Sequence, residues 1–195
     1  GDAIAGLIWS YSFSIAVGAI LAQVLIGHWP RRAVLLCSMS LLGLGACFLG
    51  LAQTWEQAMI ARVLMAVGGC SIMPTTTVIA ASLVPESQRP AALSVVFTGL
   101  TASLVLALPI ASLVSSSAGW RAAWFVSGGS AFIAVIGLAW GVPAGIQGTR
   151  ATFKSIRAVL ADRATSLTIL TTLLLITGGF ITYAMVSFWL VEVTQ

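Results

Sequence analysis

Charge is scarce in this sequence. Its 195 residues include nine basic and five acidic side chains, so only 7% of the chain is charged. A water-soluble domain of this length carries about a quarter charged residues. Hydrophobic residues make up 59% of the chain and the mean hydropathy is +1.06. These values exclude an ordinary soluble domain and indicate a protein whose solvent is lipid.

Several site chemistries are also missing. Cys37, Cys47 and Cys70 have no CxxC or metal-ligand spacing, and the single histidine, His28, lies at the edge of an apolar run. No GxSxG elbow, phosphate-binding loop or carboxylate pair falls within an apolar run. The sequence therefore predicts no catalytic residue, no metal site and no cofactor. The net charge of +4 follows from membrane topology, so no nucleic-acid partner is expected.

Six apolar runs are each long enough to cross a bilayer core, which takes roughly 17–25 helical residues. They do not alternate in polarity, which favours helices over barrel strands. We expect an all-α integral membrane protein with six transmembrane helices. The runs are Ile4–Ile26, Ala33–Ala52, Ala58–Val84, Ala91–Val114, Ala122–Val142 and Leu167–Val191.

Basic residues are distributed unevenly between these runs. The gaps after the first, third and fifth runs hold seven of the nine, and the alternate gaps hold only Arg121. By the positive-inside tendency the basic gaps face the cytoplasm, which puts both chain ends outside. We expect a multi-pass protein of the bacterial inner membrane. The seven residues are Arg31, Arg32, Arg89, Arg150, Lys154, Arg157 and Arg163.

Two runs carry small residues at four-residue spacing, which places them on one helix face. Such a stripe lets a neighbouring helix approach closely, either within one bundle or across to another. Each striped run ends at a turn with tryptophan and arginine, and three runs separate the two turns, as an inverted three-helix repeat predicts. The stripes are Gly6, Ser10, Ser14, Gly18 and Ala22 in the first run, and Gly99, Ser103, Ala107 and Ala111 in the fourth.

The segment 143–166 separates two expected bundles. Its apolar residues, including Phe153 and Ile156, share one helical face, while Lys154 and Arg157 lie on the other. This pattern predicts a short amphipathic helix on the anionic inner leaflet. Residues 1–142 would then form most of one bundle and residues 167–195 would begin another. The chain starts at Gly1 without an initiating Met, and we expect a fragment that lacks at least one upstream helix.

Several segments, in this order, resemble the major facilitator superfamily, specifically its drug and sugar efflux branch with arabinose-efflux-like permeases. They cover nearly the whole chain. The segments are Gly18-Ala19-Ile20-Leu21 through Pro30-Arg31-Arg32-Ala33, Ala61-Arg62-Val63-Leu64 with Gly68, Gly69 and Pro74, Ala81-Ser82-Leu83-Val84-Pro85-Glu86 with Arg89, and Phe97-Thr98-Gly99-Leu100-Thr101 through Pro109 to Gly119-Trp120-Arg121-Ala122.

The resemblance implies helices two to seven of a twelve-helix fold whose C-terminal bundle lies outside this chain. It also implies a secondary active transporter that exports small molecules such as sugars or drugs by alternating access, with H⁺ as the coupling ion. The alternative is a polytopic membrane protein of another function, either an enzyme or a channel. The sequence departs from the family pattern where Gly27 and Pro30 replace an acid and a glycine. The helix-five antiporter motif is reduced to Gly99 and Pro109.

Three residues are candidates for the substrate cavity. Arg62 lies inside the third run, about 8 Å below its outer boundary, and a cation at that depth needs a partner or a watery cavity. Snorkelling to the surface is the alternative. Gln23 is a polar amide in the inner part of the first run, where an interhelical hydrogen bond is the alternative to a cavity role. Tyr183 lies in a segment similar to the family's helix seven, where packing is an equal alternative.

A second set is assigned to gating and packing between bundles. Pro74 and Pro109 each remove a backbone hydrogen bond, so each marks a hinge or a static kink. The other members are Gly18, Arg31, Arg32 and Gly99. No acidic residue lies in the middle of any run, so a proton-carrying carboxylate is expected in a helix outside the chain, unless Glu56 or Glu192 reaches inward.

Overall fold

The computed structural model describes the backbone of residues 2–148 and 153–193 and the side chains of residues 12–22, 24–148, 157–179, 181, 182 and 185. These residues form helices joined by short turns, with no strand among them. The helices are α1 (Asp2–Leu25), α2 (Arg31–Leu51), α3 (Trp55–Gly69), α4 (Ile72–Ser82), α5 (Arg89–Ala118), α6 (Trp120–Gly141), α7 (Phe153–Ala161) and α8 (Arg163–Val193), with a 3₁₀ turn at Glu86–Gln88.

The predicted apolar runs fall, in order, on α1, α2, α3 with α4, α5, α6 and α8. Each helix begins two to four residues before its run, because polar and aromatic residues at the membrane boundary continue the helix. In α3 the added turn is fixed by a capping box, in which Thr54 Oγ1 accepts from Gln57 N–H. Within the searched part of the chain, four helical segments are long and apolar enough to cross a membrane, so the count of six stays a prediction. They are Arg31–Leu51, Trp55–Ser82, Glu86–Ala118 and Trp120–Gly141.

The third run is divided between α3 and α4, at Cys70 and Ser71. Pro74 has no N–H, and its ring clashes with the carbonyl four residues earlier, which belongs to Cys70. Cys70 N–H still donates to Ala66 O at 2.9 Å, and Thr75 N–H donates to Ser71 O at 3.1 Å. The interruption therefore lies one turn before the proline. Pro109, in contrast, lies inside α5 without ending it.

The helix α2 lies between α3 and α6 and packs closely on both. On the α3 side, a Cβ added to Gly68 would come within 2.6 Å of Leu42 N and 2.7 Å of Ser38 O. On the α6 side, a Cβ added to Gly43 would lie 3.3 Å from Gly128 O. Lipid gives helices no hydrophobic force for association, so such close approach through small residues provides the packing. This role of α2 was not predicted from the sequence.

One buried cluster joins α2 and α3 near the turn that connects them. Alanines dominate it, which keeps the two backbones close. The side chains of Ala58 and Trp124 pack against the cluster from its edge. Its buried members are Ala46, Leu49, Ala52, Ala61 and Met65.

Two arginines join α2 and α6 at opposite ends. Arg121, at the start of α6, donates from Nη2 to Ala52 O, the C-cap of α2, at 3.2 Å. Arg32, at the start of α2, donates from Nη2 to Ala139 O, in the last turn of α6. Carbonyls at a helix C-terminus lack intrahelical partners and attract cations. Each helix thus caps the end of the other, and the inverted repeat stays a prediction.

A second compact unit contains α7 and α8. The helix α7 falls in the segment where an amphipathic helix was predicted.

Asp162 precedes α8, and its Oδ2 accepts from Thr165 N–H at 2.9 Å and from the Thr165 hydroxyl. These bonds, first the one from the hydroxyl, hold the pKa of the Asp162 carboxyl below its ordinary value. The carboxylate therefore stabilises the first turn of α8 at neutral pH, and that stabilisation is lost as the pH falls through the lowered pKa.

The contact of Gly68 with α2 gives a direct test of the packing. Gly68→Ala places a methyl group against the backbone of α2, which cannot move aside as a flexible side chain would. We expect a destabilisation of about 1–3 kcal/mol, measured as a lower thermal midpoint of the full-length protein in detergent. Gly129→Ala in α6 is the matched control, because a Cβ there meets nothing within 4 Å. Equal midpoints for the two variants would contradict the close approach of α2 and α3.

Candidate functional site

Arg62 is a half-buried cation on α3. Its guanidinium carbon lies 5.8 Å from the centroid of the Trp124 ring on α6. That distance is within the range of a cation–π interaction, which contributes about 0.5–1 kcal/mol at exposed sites and more when water is excluded. Arg62 lies seven residues into a helix with a rise of 1.5 Å per residue, so it is about 10 Å from the helix start. The cation is therefore held within the helix bundle by an aromatic face.

Trp124 has two sets of neighbours besides Arg62. It packs against the buried alanine-rich cluster of α2 and α3. It also borders a cavity of about 410 Å³ between α5 and α6. The indole therefore lies between Arg62 and the cavity.

The cavity between α5 and α6 is largely apolar. Three small residues of the predicted α5 stripe, Ser103, Ala107 and Ala111, form part of one wall. The hydroxyl of Ser103 donates to Leu100 O at 2.7 Å, and that of Ser130 donates to Ser127 O at 2.8 Å. Since these hydroxyls are satisfied by their own helices, the wall offers apolar surface. Such a surface fits another apolar helix or an apolar ligand.

The two predicted stripes have different surroundings. A Cβ added to Gly18 on α1 would lie 3.5 Å from Cys70 Sγ, at the interruption between α3 and α4. A Cβ added to Gly99 on α5 would meet nothing within 4 Å. At Gly18, the α1 stripe therefore packs against the junction of α3 and α4, whereas the α5 stripe at Gly99 faces open space. The predicted role of Gly18 and Gly99 in packing between bundles stays a prediction.

The paired arginines at the start of α2 have separate environments. Arg31 is buried, with 6% of its surface exposed, and its backbone N–H donates to Ile146 O at 2.9 Å. Its Nε is enclosed and has no hydrogen-bond partner. Arg32 is half-buried and caps α6 through Ala139 O. The gating role assigned to both residues stays a prediction.

The remaining candidates are placed only in part. Gln23 and Tyr183 lie on α1 and α8, but their side chains fall outside the described residues. Pro74 is half-buried in the first turn of α4, and Pro109 is exposed on α5.

Thr75, Thr76 and Thr77 follow Pro74, where hydroxyls are expected to satisfy carbonyls freed by the proline. Thr77 Oγ1 donates to Met73 O at 3.1 Å and to Pro74 O at 3.0 Å. Thr75 is fully buried, and its Oγ1 has no hydrogen-bond partner.

This helical architecture, with its apolar faces and interior arginine, defines a polytopic membrane protein. Residues 2–194 match the family model described as Major Facilitator Superfamily. The chain belongs to that superfamily, which confirms the predicted membrane fold and family. Members are transporters rather than enzymes, so the enzyme alternative is excluded. The family is one of multi-pass membrane proteins, and the first relative is named for the inner membrane.

Three relatives in the superfamily are similar to this chain. The chain is 29% identical over 189 residues to the inner membrane transport protein YdhP of Escherichia coli K12. The matched stretch covers 97% of the chain and 49% of YdhP. It is 30% identical over 185 residues to an uncharacterised MFS-type transporter, YtbD, of Bacillus subtilis, covering 94% and 47%. A chloramphenicol resistance protein of Streptomyces lividans is 31% identical over 137 residues, covering 70% and 35%. The chain thus spans about half the length of YdhP and of YtbD, and about a third of the chloramphenicol resistance protein.

The interaction of Arg62 with Trp124 is testable by a double-mutant cycle in the full-length protein. Trp124→Leu removes the aromatic face, whereas Trp124→Phe keeps one. With Arg62→Gln as the second change, we expect a coupling free energy of about 0.5–1 kcal/mol for the Leu variant, measured from unfolding midpoints. The Phe variant retains part of it. Additive effects in both cycles would show that the indole does not hold the guanidinium.

Proposed function

We propose that the complete protein is a secondary active transporter that exports small molecules across the bacterial inner membrane by alternating access. Membership of the superfamily supports transport, and the relative named for chloramphenicol resistance supports the outward direction. Alternating access needs two bundles that move about a central site. Because the chain spans about half of its relatives, the second bundle belongs to a longer protein.

The proposal assigns the chain to helices two to seven of a twelve-helix protein. Residues 1–142 supply helices two to six of the first bundle, residues 143–166 the cytoplasmic connection, and residues 167–195 the first helix of the second bundle. The separation of α7 and α8 from α1–α6 supports this division.

The observation that carries the proposal is the position of Arg62. A cation inside a membrane helix is costly and is kept where it meets a partner or a substrate pathway. Arg62 is held by Trp124, beside the cavity between α5 and α6. We assign Arg62 to the substrate pathway, with Gln23 and Tyr183 as further contributors from α1 and α8.

Proton coupling needs a group that changes its charge within the membrane. Among the described residues, acidic side chains occur at helix ends or in turns, as Glu56 and Asp162 do. A proton-carrying carboxylate is therefore assigned to a helix outside this chain, or to Glu56 or Glu192. Antiport with H⁺ is proposed on the resemblance to the efflux branch of the superfamily.

Substitution of Arg62 tests the proposed function. In the full-length protein reconstituted in liposomes, Arg62→Ala should abolish counterflow of the exported compound, for which chloramphenicol is a first choice. Arg62→Lys keeps the charge but not the planar guanidinium, so it should retain only part of the activity. Membrane expression should stay unchanged in both variants.

The matched control is Arg89→Ala. Arg89 is exposed and pairs with Glu86 at 3.4 Å, a contact that contributes little stability. Counterflow should persist in this variant. Wild-type protein without counterflow would contradict a carrier, since a carrier accumulates labelled substrate transiently in exchange for unlabelled substrate, whereas a channel only lets the two equilibrate. Undiminished counterflow in Arg62→Ala would remove Arg62 from the pathway.

A further inference from the structure

After α6 the chain turns back towards the start of α2. Val142, the residue that follows the helix, has extended backbone angles, with φ −96° and ψ 122°, and Pro143 comes next. A residue before proline avoids the helical conformation, and proline itself cannot continue the helix. Residues 142–148, which we call the strap, therefore leave the helix. They belong to the same compact unit as α1–α6.

The strap caps the N-terminus of α2. Ile146 O accepts from Arg31 N–H at 2.9 Å. That amide lies in the first turn of α2, where N–H groups have no intrahelical acceptor. The N-cap residue is Pro30, and no side chain caps the helix there. A carbonyl of the strap therefore takes the place of the serine or aspartate side chain that caps other helices.

The far end of the strap lies directly on the turn between α1 and α2. A Cβ added to Gly148 would collide with Gly27 O and would lie 2.6 Å from Trp29 O. Both atoms belong to the backbone and Gly27 is buried, so neither can move aside as a flexible side chain would. A Cβ added to Gly145, in the same strap, would meet nothing within 4 Å. The close approach of two backbones therefore requires glycine at position 148 but not at position 145.

A side-chain contact supports the same junction. Arg32 Nη2 donates to Ala139 O in the last turn of α6, so the start of α2 is joined to the end of α6 by this bond and by the strap. The contact of Gly148 adds the turn after α1. Three helix ends thus meet at the strap, which contacts two of them through backbone atoms.

We propose that the strap is a latch that holds the ends of α1, α2 and α6 together as one piece and positions the start of α2 during transport. The part of this inference that concerns transport rests on the proposed function, because in alternating access the helices of one bundle move as a body. The latch itself rests on contacts within one compact unit. The two parts are therefore tested separately.

Hydrogen exchange tests the latch without a transport assay. In the full-length protein in detergent, Gly148→Val should displace the strap and remove the acceptor of the Arg31 amide. Exchange at the start of α2, followed by mass spectrometry, should be about fivefold faster, which corresponds to a hydrogen bond of about 1 kcal/mol. Gly145→Val is the matched control and should exchange like wild type. Equal exchange in the two variants would overturn the latch.

A smaller pair of substitutions keeps this test decisive if Gly148→Val does not fold. A single methyl group at position 148 already collides with Gly27 O, so Gly148→Ala should also speed exchange at the start of α2. Gly145→Ala adds the same methyl group where there is space and should leave exchange unchanged.

Counterflow in liposomes tests the positioning role. Gly148→Val should lower the maximal rate severalfold and leave the KM of the substrate unchanged, because the strap is not part of the proposed substrate pathway. Gly145→Val should match wild type. Faster exchange together with unchanged counterflow would overturn the role in transport and leave only a helix cap. If wild type shows no counterflow, the proposed function and the transport role both fail, and exchange alone decides the latch.

Discussion

Close backbone approach through small residues is the constraint on which the rest of this structure depends. In lipid, helices must associate by packing and hydrogen bonding, because apolar side chains gain nothing by leaving an apolar solvent. The helix α2 meets this constraint on two sides, at Gly68 of α3 and at Gly128 of α6. Once α3 and α6 are fixed against α2, Arg62 and Trp124 are brought together from separate helices. The candidate site is thus a consequence of the packing around α2.

The two arginine caps extend the same constraint to the ends of the helices. Arg32 and Arg121 each satisfy a carbonyl at the C-terminus of the opposite helix, where few donors are available. The caps also fix the register of α2 against α6, since a slip of one turn would separate both pairs. The glycine contacts and the caps therefore define one arrangement of the two helices.

Composition and run length predicted the class of fold correctly, because burial in lipid imposes continuous apolar runs and leaves little choice of structure. The boundaries were less accurate, since aromatic and charged residues at the membrane boundary, such as Trp55 and Arg89, continue a helix beyond its apolar run. The small-residue stripes on α1 and α5 were predicted from their spacing alone. The pairs of helices that meet could not be predicted, because Gly43 and Gly128 are distant in sequence and nothing in either run indicates the partner. For the same reason the sequence indicated Arg62 as a site residue but did not indicate Trp124 as its partner.

Cross-linking of α2 to α6 tests this central arrangement most directly. A Cβ placed on Gly128 would contact Cys47 Sγ, whereas one placed on Gly129 would meet nothing within 4 Å. In membranes holding the full-length protein, mild oxidation of Gly128→Cys should form a disulfide with Cys47, detected after proteolysis between α2 and α6. Gly129→Cys should form none. Equal cross-linking by both variants, or none from Gly128→Cys with both thiols still reactive, would contradict the account.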